Sequence, residues 1–371
     1  MCGIIGYIGS RDCVQIIQSG LSRLAYRGYD SAGIAVCHEG DIDLRRAHGK
    51  LENLITRLTI EPMRGHTGIG HTRWATHGKP SESNAHPHRY GKFAIVHNGI
   101  IENFLELRQE LTQKGHTFAS ETDTEIVAHL FSENYESGMN FEQAVRNALQ
   151  RVRGSYAIVA ICADHPNEII AARQQSPLLL AVGDGEMFAA SDIAAVLAYS
   201  RNFIFLEDSD IAHITPTEVK ISDLQGNPCQ RPIKTIEWDI AAAEKQGYPH
   251  YMLKEIYEQP QKITDTFRGR ILEDTGEVNL DADIEALHLE TCRRLQIVAC
   301  GTSYHAGLLG KYVIEKLARI PVDVDVASEY RYREPIIGSN DGFIAISQSG
   351  ETADTYACLK IARQQGAKIL S

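Results

Sequence analysis

The strongest constraint on how this chain folds is a change of rhythm near residue 240. Before it, short strand-like runs follow one another at 3–8, 32–37, 42–47, 68–72, 93–97, 156–162, 169–173, 178–183, 186–190, 211–215 and 219–222. Turn signals such as Gly183-Asp184-Gly185 and Gln225-Gly226-Asn227-Pro228 separate several of them. Helical periodicity marks three segments: 12–26 with Val14, Ile17, Leu21 and Leu24, 122–135 with Ile126, Val127, Leu130 and Phe131, and 141–152 with Val145, Ala148, Leu149 and Val152. Hairpins interspersed with a few long helices predict layers of antiparallel sheet and helix, an α+β domain over 1–238. Residues 239–250 are polar and punctuated by glycine and proline, which predicts a linker. From 251 to 371 strands at 295–300, 322–327, 343–347 and 367–370 alternate with helices at 304–317 and 352–365. That alternation predicts a parallel, doubly wound α/β sheet. Ser371 falls inside its last strand, so the α/β domain is expected to be incomplete, and poorly soluble if the chain stops there with a strand edge unpaired.

Bulk properties narrow the function. With 48 acidic against 37 basic residues the net charge is −11, and no Lys/Arg block stands out, which argues against a nucleic-acid partner. No apolar run reaches the roughly 20 residues a membrane span needs, and no secretory signal opens the chain. The eight cysteines form no C-x-x-C pair and most lie in apolar surroundings, as reduced thiols of a cytoplasmic protein would. His71, His77, His86, His88 and His97 carry no metal-ligand spacing, and no metal or cofactor is expected.

One cysteine differs. Met1-Cys2-Gly3 places a thiol directly after the initiator, where removal of Met1 would leave Cys2 with a free α-amine. An α-amine, which ordinarily titrates at roughly 7.7–8.0, beside a thiol near 8.5 supplies both base and nucleophile for acyl transfer. Four polar segments accompany it: Tyr26-Arg27-Gly28-Tyr29-Asp30-Ser31-Ala32-Gly33, His71-Thr72-Arg73-Trp74-Ala75-Thr76-His77-Gly78, His97-Asn98-Gly99-Ile100-Ile101-Glu102-Asn103 and Ser120-Glu121-Thr122-Asp123-Thr124-Glu125. Each has a plainer reading. Asn98-Gly99 suits a type I′ hairpin turn, Asp123 an N-terminal helix charge, Arg73 a surface ion pair and Trp74 the core.

Taken together and in this order, the segments resemble the class II glutamine amidotransferases, from Cys2 to Trp238. The resemblance implies a four-layer αββα fold of the N-terminal-nucleophile hydrolases and an enzyme that releases ammonia from glutamine. It implies Cys2 as nucleophile with its own amine as base, and Asn98 and Gly99 as the oxyanion hole. Arg73 would hold the glutamine carboxylate and Asp123 its ammonium. Thr76 and His77 would line the pocket, with Trp74 as a gate toward the ammonia route.

Leu295–Ser303 and Ile344–Thr352 share another grammar: apolar strand, small polar loop, helix start. Backbone N–H groups and hydroxyls converging on a helix N-terminus make an anion site, although no Gly-Lys-Ser/Thr of a nucleotide loop is present. The residues do not separate a phosphosugar from a nucleotide. The segments resemble the SIS (sugar isomerase) domain, which implies sugar-phosphate contacts at Gly301, Thr302, Ser303, Ser347, Gln348, Ser349 and Thr352. The join from His250 to Pro260 resembles the amidotransferases that pass ammonia to fructose 6-phosphate, giving glucosamine 6-phosphate and glutamate. Those enzymes continue past the point matching Ser371, where the isomerase's acid/base glutamate, histidine and sugar-binding lysine lie, and they are homodimers at full length. Two other functions stay open: a glutaminase without amination, and a phosphosugar-sensing module with an inert first domain.

Overall fold

The computed structural model describes the chain except residues 1, 26, 29, 75–78, 238–247, 249, 268–270, 272–277, 279–286, 349 and 351. It divides into two compact units, 1–246 and 247–371. The predicted linker at 239–250 lies mostly outside the described residues.

The first unit opens with β1 (Gly3–Ile8), α1 (Cys13–Arg23), β2 (Ser31–His38), β3 (Asp41–His48), α2 (Leu51–Ile60) and β4 (Thr67–Arg73). It continues with β5 (His88–Tyr90), β6 (Phe93–Ile101), α3 (Phe104–Gln113), α4 (Glu125–Glu136) and α5 (Phe141–Leu149). The remaining strands are β7 (Gly154–Cys162), β8 (Ile169–Gln174), β9 (Leu179–Val182), β10 (Met187–Ala190), β11 (Asn202–Phe205), β12 (Ile211–Ile214), β13 (Val219–Ser222) and β14 (Ile233–Thr235). Among the described residues they form an eight-stranded sheet in the order β14-β11-β9-β10-β1-β4-β2-β3 and a six-stranded sheet in the order β13-β12-β8-β7-β6-β5.

Period-2 alternation sorts the strands' side chains into three cores. On β1, Ile5 and Tyr7 face α1 and α2, whereas Ile4 and Ile8 face the other sheet, packing with Ala94 and Val96 of β6 and Val159 of β7. The far side of the six-stranded sheet, with Phe93, Ile95, Ile158 and Ala160, is covered by Ile126, Leu130 and Phe131 of α4 and Val145 and Leu149 of α5. The layers therefore run helix, sheet, sheet, helix, the expected αββα sandwich.

In this unit sequence periodicity located α1, α4, α5 and eleven of the strands and missed α2, α3, β5, β11 and β14. It also ended the strand starting at Phe93 too early: β6 runs on to Ile101 and pairs along its length with β7. Asn98-Gly99 is thus not a hairpin turn but strand interior. The helix expected from residue 122 begins at Glu125, because the residues before it spend their polar groups elsewhere.

In the second unit α6 (Tyr251–Phe267) precedes β15 (Arg294–Ala299), α7 (Thr302–Leu317), β16 (Val322–Val326), α8 (Ala327–Tyr332), β17 (Asp341–Ile346), α9 (Ala353–Gln364) and β18 (Lys368–Leu370). The four strands are parallel in the order β16-β15-β17-β18. One face, with Val298, Phe343 and Ala345, packs on Ala327 and Tyr330 of α8 and Cys358 and Ala362 of α9. The opposite face, with Leu295 and Ile297, packs on Ile314 of α7. Helices on both faces make the sheet doubly wound, as predicted.

Candidate active site

Cys2 stands at the start of β1, an interior strand of the eight-stranded sheet. Register sets its neighbours: Gly3 pairs with Thr72 of β4, so one further step brings Cys2 alongside Arg73. Both backbone groups of Trp74 grip the thiol. The Trp74 N–H donates to Cys2 Sγ at 3.1 Å and the thiol reaches the Trp74 carbonyl at 3.4 Å. Burial pushes the Cys2 thiol pKa up; the Trp74 N–H and the positive charge of Arg73 pull it down and Asp30 adds to the rise, leaving it above its ordinary value. The thiol is therefore protonated near neutral pH and needs a base.

The loop after α1 fixes this corner. Arg27, 6% exposed, donates from Nη1 to Asp192 Oδ2 at 2.8 Å. Asp192 follows Ser191, whose Oγ accepts from the Ile4 N–H of β1 at 2.9 Å and whose N–H donates to the Ile4 carbonyl at 3.1 Å. Gly28 must lack a side chain, since a Cβ there would meet the Arg73 carbonyl carbon at 2.7 Å and oxygen at 2.8 Å. The Asp30 N–H then donates to that same Arg73 oxygen at 3.2 Å. Arg73 itself is 3% exposed, so it is no surface ion pair, and Trp74 is 47% exposed, so its ring is not core.

β6 supplies the other wall. Asn98, 8% exposed, donates from Nδ2 to the Cys2 carbonyl at 3.0 Å, and its Oδ1 lies 2.9 Å from Nε2 of His71. Gly99 has φ +134°, and a Cβ on it would meet the Ser155 carbonyl oxygen at 2.0 Å; only glycine fits. Two residues on, the Ile101 N–H donates to Asp123 Oδ2 at 2.8 Å. The Asp123 carboxylate, 5% exposed, is thereby tied to the strand and is not spent on the N–H groups of α4. Thr76 and His77 lie outside the described residues.

Behind the wall is a buried polar layer to which sequence reasoning gave no role. His71, His86 and His88 are buried, His86 Nε2 and His97 Nδ1 both meet Thr124 Oγ1 at 2.9 and 2.8 Å, and His88 Nε2 meets Thr122 Oγ1 at 3.0 Å. Burial drives the imidazoles of His71 and His88 down to about 3 and that of His86 well below its usual value, so all three are neutral. Glu125 accepts from the N–H groups of Ala119 and Ser120 at 2.8 and 2.7 Å and from Ser120 Oγ at 2.7 Å. Burial alone would raise the Glu125 carboxyl; the His129 imidazole 3.7 Å away and hydrogen bonds from Ala119 and Ser120 outweigh it and hold it at about 2. The legible signal was β4 itself, a strand buried at every position yet carrying Thr67, His71, Thr72 and Arg73.

In the second unit Ala299 pairs with Ile346, so β15 and β17 end side by side. The chain leaves β15 toward β16 on one side, and β17 lies on the other. The two loops after these strands thus flank the switch point of a doubly wound sheet, where such folds form a ligand crevice. Gly301, at φ +59°, precedes α7, which begins at Thr302-Ser303. After β17, Ser347 Oγ accepts from the Gly350 N–H at 3.1 Å and lies 3.4 Å from Thr352 Oγ1 at the start of α9. Gln348 is exposed; Ser349 lies outside the described residues. Two helix N-termini with small hydroxyl side chains can take a phosphate.

Among the described residues no helix is long and apolar enough to cross a membrane. Residues 71–198 match the glutamine amidotransferase domain family, and residues 288–371 match the SIS domain family. Over its whole length the chain is 51% identical to a protein of Caldanaerobacter subterraneus subsp. tengcongensis and 50% identical to one of Thermus thermophilus, both named glutamine–fructose-6-phosphate aminotransferase (isomerizing). The chain spans 61% of the length of each of these relatives. Among solved structures, glutamine phosphoribosylpyrophosphate amidotransferase from B. subtilis superposes with a TM-score of 0.54 at 17% identity, covering 99% of this chain and 80% of that one. At that identity the likeness concerns the fold alone.

Proposed function

We propose, for a chain that carries a glutamine amidotransferase domain followed by a SIS domain, that Cys2 hydrolyses glutamine and that the ammonia goes to fructose 6-phosphate. The observation that supports this reading best is the pairing of a protonated thiol, gripped by Trp74, with an Asn98 amide whose N–H points at the same residue. Once Met1 is removed, the Cys2 α-amine takes the thiol proton and sulfur attacks the side-chain carbonyl of glutamine. The oxyanion accepts from Asn98 Nδ2 and the Gly99 N–H, and losing one such donor typically costs about 3–4 kcal/mol of barrier. As the C–N bond breaks, the α-ammonium returns its proton to the leaving nitrogen and ammonia departs. Water then cleaves the γ-glutamyl thioester, with the amine again as base, and glutamate is released. Arg73 pairs with the substrate carboxylate through its planar fork and Asp123 with its ammonium, which turns the amide toward Cys2. Thr76 and His77 complete the pocket, and Trp74 gates the way out for ammonia.

In the second unit the proposed ligand is the sugar phosphate. Ser303, Ser347, Gln348, Ser349 and Thr352 hold its phosphate, with the N–H groups of Gly301 and Thr302. The names of the relatives support fructose 6-phosphate as acceptor, and glucosamine 6-phosphate is the product the resemblance implies. A cytoplasmic setting fits both substrates. The test is a paired assay of glutamate and glucosamine 6-phosphate with and without fructose 6-phosphate. Cys2→Ser is expected to abolish glutamate release. Glutamate release without any glucosamine 6-phosphate would reduce the reading to a glutaminase, and no glutamate at all would overturn it.

A further inference from the structure

We infer that His71 is the positioning residue that turns the Asn98 amide so that its N–H faces Cys2. The inference rests on the reading of Asn98 as an oxyanion donor given above. An asparagine amide can rotate by half a turn and exchange its oxygen for its nitrogen; in the wrong sense it would present a lone pair to a developing negative charge.

Two carbonyls decide the sense. His71 Nε2 lies 3.1 Å from the His97 carbonyl oxygen and 2.9 Å from the near atom of Asn98. A carbonyl can only accept, so Nε2 carries the imidazole proton, and the Asn98 atom facing it is Oδ1. Nδ2 is left on the far side, where the Cys2 carbonyl, again only an acceptor, lies 3.0 Å away. The two ends of the amide thus agree.

The ring that dictates this sense is itself immobilised. His71 is fully buried and stacks on His86 with ring centroids 4.3 Å apart. His86 is held by Thr124, and Thr124 also bonds the side chain of His97, the residue next to Asn98. Burial keeps His71 neutral, so this donor does not titrate in the range where an α-amine base works. The lone pair that remains is on Nδ1, which is buried with no hydrogen-bond partner, so His71 does not bond the Cys2 thiol and is not its base.

The test compares the full-length chain with His71→Leu, His71→Gln, Asn98→Ala and the His71→Leu/Asn98→Ala pair. Two rates are measured: glutamate release, which passes through an oxyanion, and alkylation of Cys2 by iodoacetamide, mapped by peptide mass, which does not. His71→Leu is expected to lower kcat about 100-fold while KM for glutamine moves by less than about threefold. Its Cys2 alkylation should stay within about twofold of wild type, and adding it to Asn98→Ala should cost little more, because both changes remove one donor. His71→Gln, whose Nε2 can still donate to Oδ1, should recover most of kcat, and it serves as the informative variant if leucine prevents folding. Wild-type kcat in His71→Leu would overturn the inference, as would a parallel fall in alkylation or an additive double variant. Full activity in Asn98→Ala would instead sink the oxyanion reading beneath it, and the inference with it.

Discussion

Acidification should destabilise the first unit before its carboxylates are protonated. The buried layer contains His71 and His88, whose imidazoles are driven from an ordinary 6.5 to about 3, with His86 displaced in the same direction. These groups have folded-state values below their unfolded ones, so between pH 6.5 and about 3 the unfolded chain binds protons that the folded chain refuses. Stability is intact above 6.5 and falls as pH drops through that window. At pH 5 each group shifted from 6.5 to 3 removes about 2 kcal/mol relative to pH 7.5, so His71 and His88 together remove about 4 kcal/mol and His86 adds to it. Against a typical stability of roughly 5–15 kcal/mol that is a large fraction. Glu125 acts lower down: its carboxyl is held at about 2, so its contribution persists above the ordinary glutamate value of 4.5 and fades only as pH falls from there toward 2. Trp74 meets Cys2 in the 1–246 unit, so its fluorescence, read in a Trp238→Phe background, reports on that unit. Urea midpoints followed that way at pH 7.5, 6.5, 5.5 and 5.0 should decline steeply below 6.5. A midpoint that held constant down to pH 5 would mean that the three imidazoles are not buried neutral, and the tautomer argument for His71 would lose its footing.

Three further outcomes are expected. Gly99→Ala should leave little folded, active protein, because the added Cβ would lie 2.0 Å from the Ser155 oxygen; circular dichroism and glutamate release at wild-type levels would show that β6 takes another course. Asp192→Ala removes the acceptor of both the Arg27 guanidinium and the Ala194 N–H and should lower first-unit stability by about 1.5–3 kcal/mol in urea titrations, and an unchanged midpoint would mean the pair is not closed in solution. Arg73→Lys keeps the charge but loses the fork; the loss of one charge-assisted hydrogen bond, about 1.5–3 kcal/mol, should raise the KM for glutamine about tenfold or more, and an unaltered KM would remove Arg73 from the substrate.

Layers of antiparallel sheet and helix were legible in the succession of short strands and a few long helices, whereas the four-layer order came from the resemblance; the structure then sorts Ile4, Ile5, Tyr7 and Ile8 of β1 onto two faces. The parallel sheet was legible from apolar strands alternating with helices. Short edge pieces such as His88–Tyr90 and Ile233–Thr235 were not, since three residues carry too little pattern to stand out. Among the proposed site residues, Cys2, Arg73, Asn98, Gly99 and Asp123 were named from the motifs and the resemblance, but what holds them could not be. The grip of Trp74 on the thiol depends on the β1–β4 register, and the tie from Asp123 to Ile101 joins a helix start to a strand 22 residues away in sequence. The Arg27–Asp192 pair spans 165 residues. His71 stands in a quoted motif, yet its role depends on which carbonyl its ring meets, and no spacing rule gives that.

The most direct test of the central claim is acid-quenched peptide mapping of the chain during turnover with glutamine. A γ-glutamyl group is expected on the sulfur of an N-terminal Cys2 from which Met1 has been removed, and on no residue of Cys2→Ser. Glutamate formed with Met1 still attached, or with the acyl group on any other side chain, would contradict it.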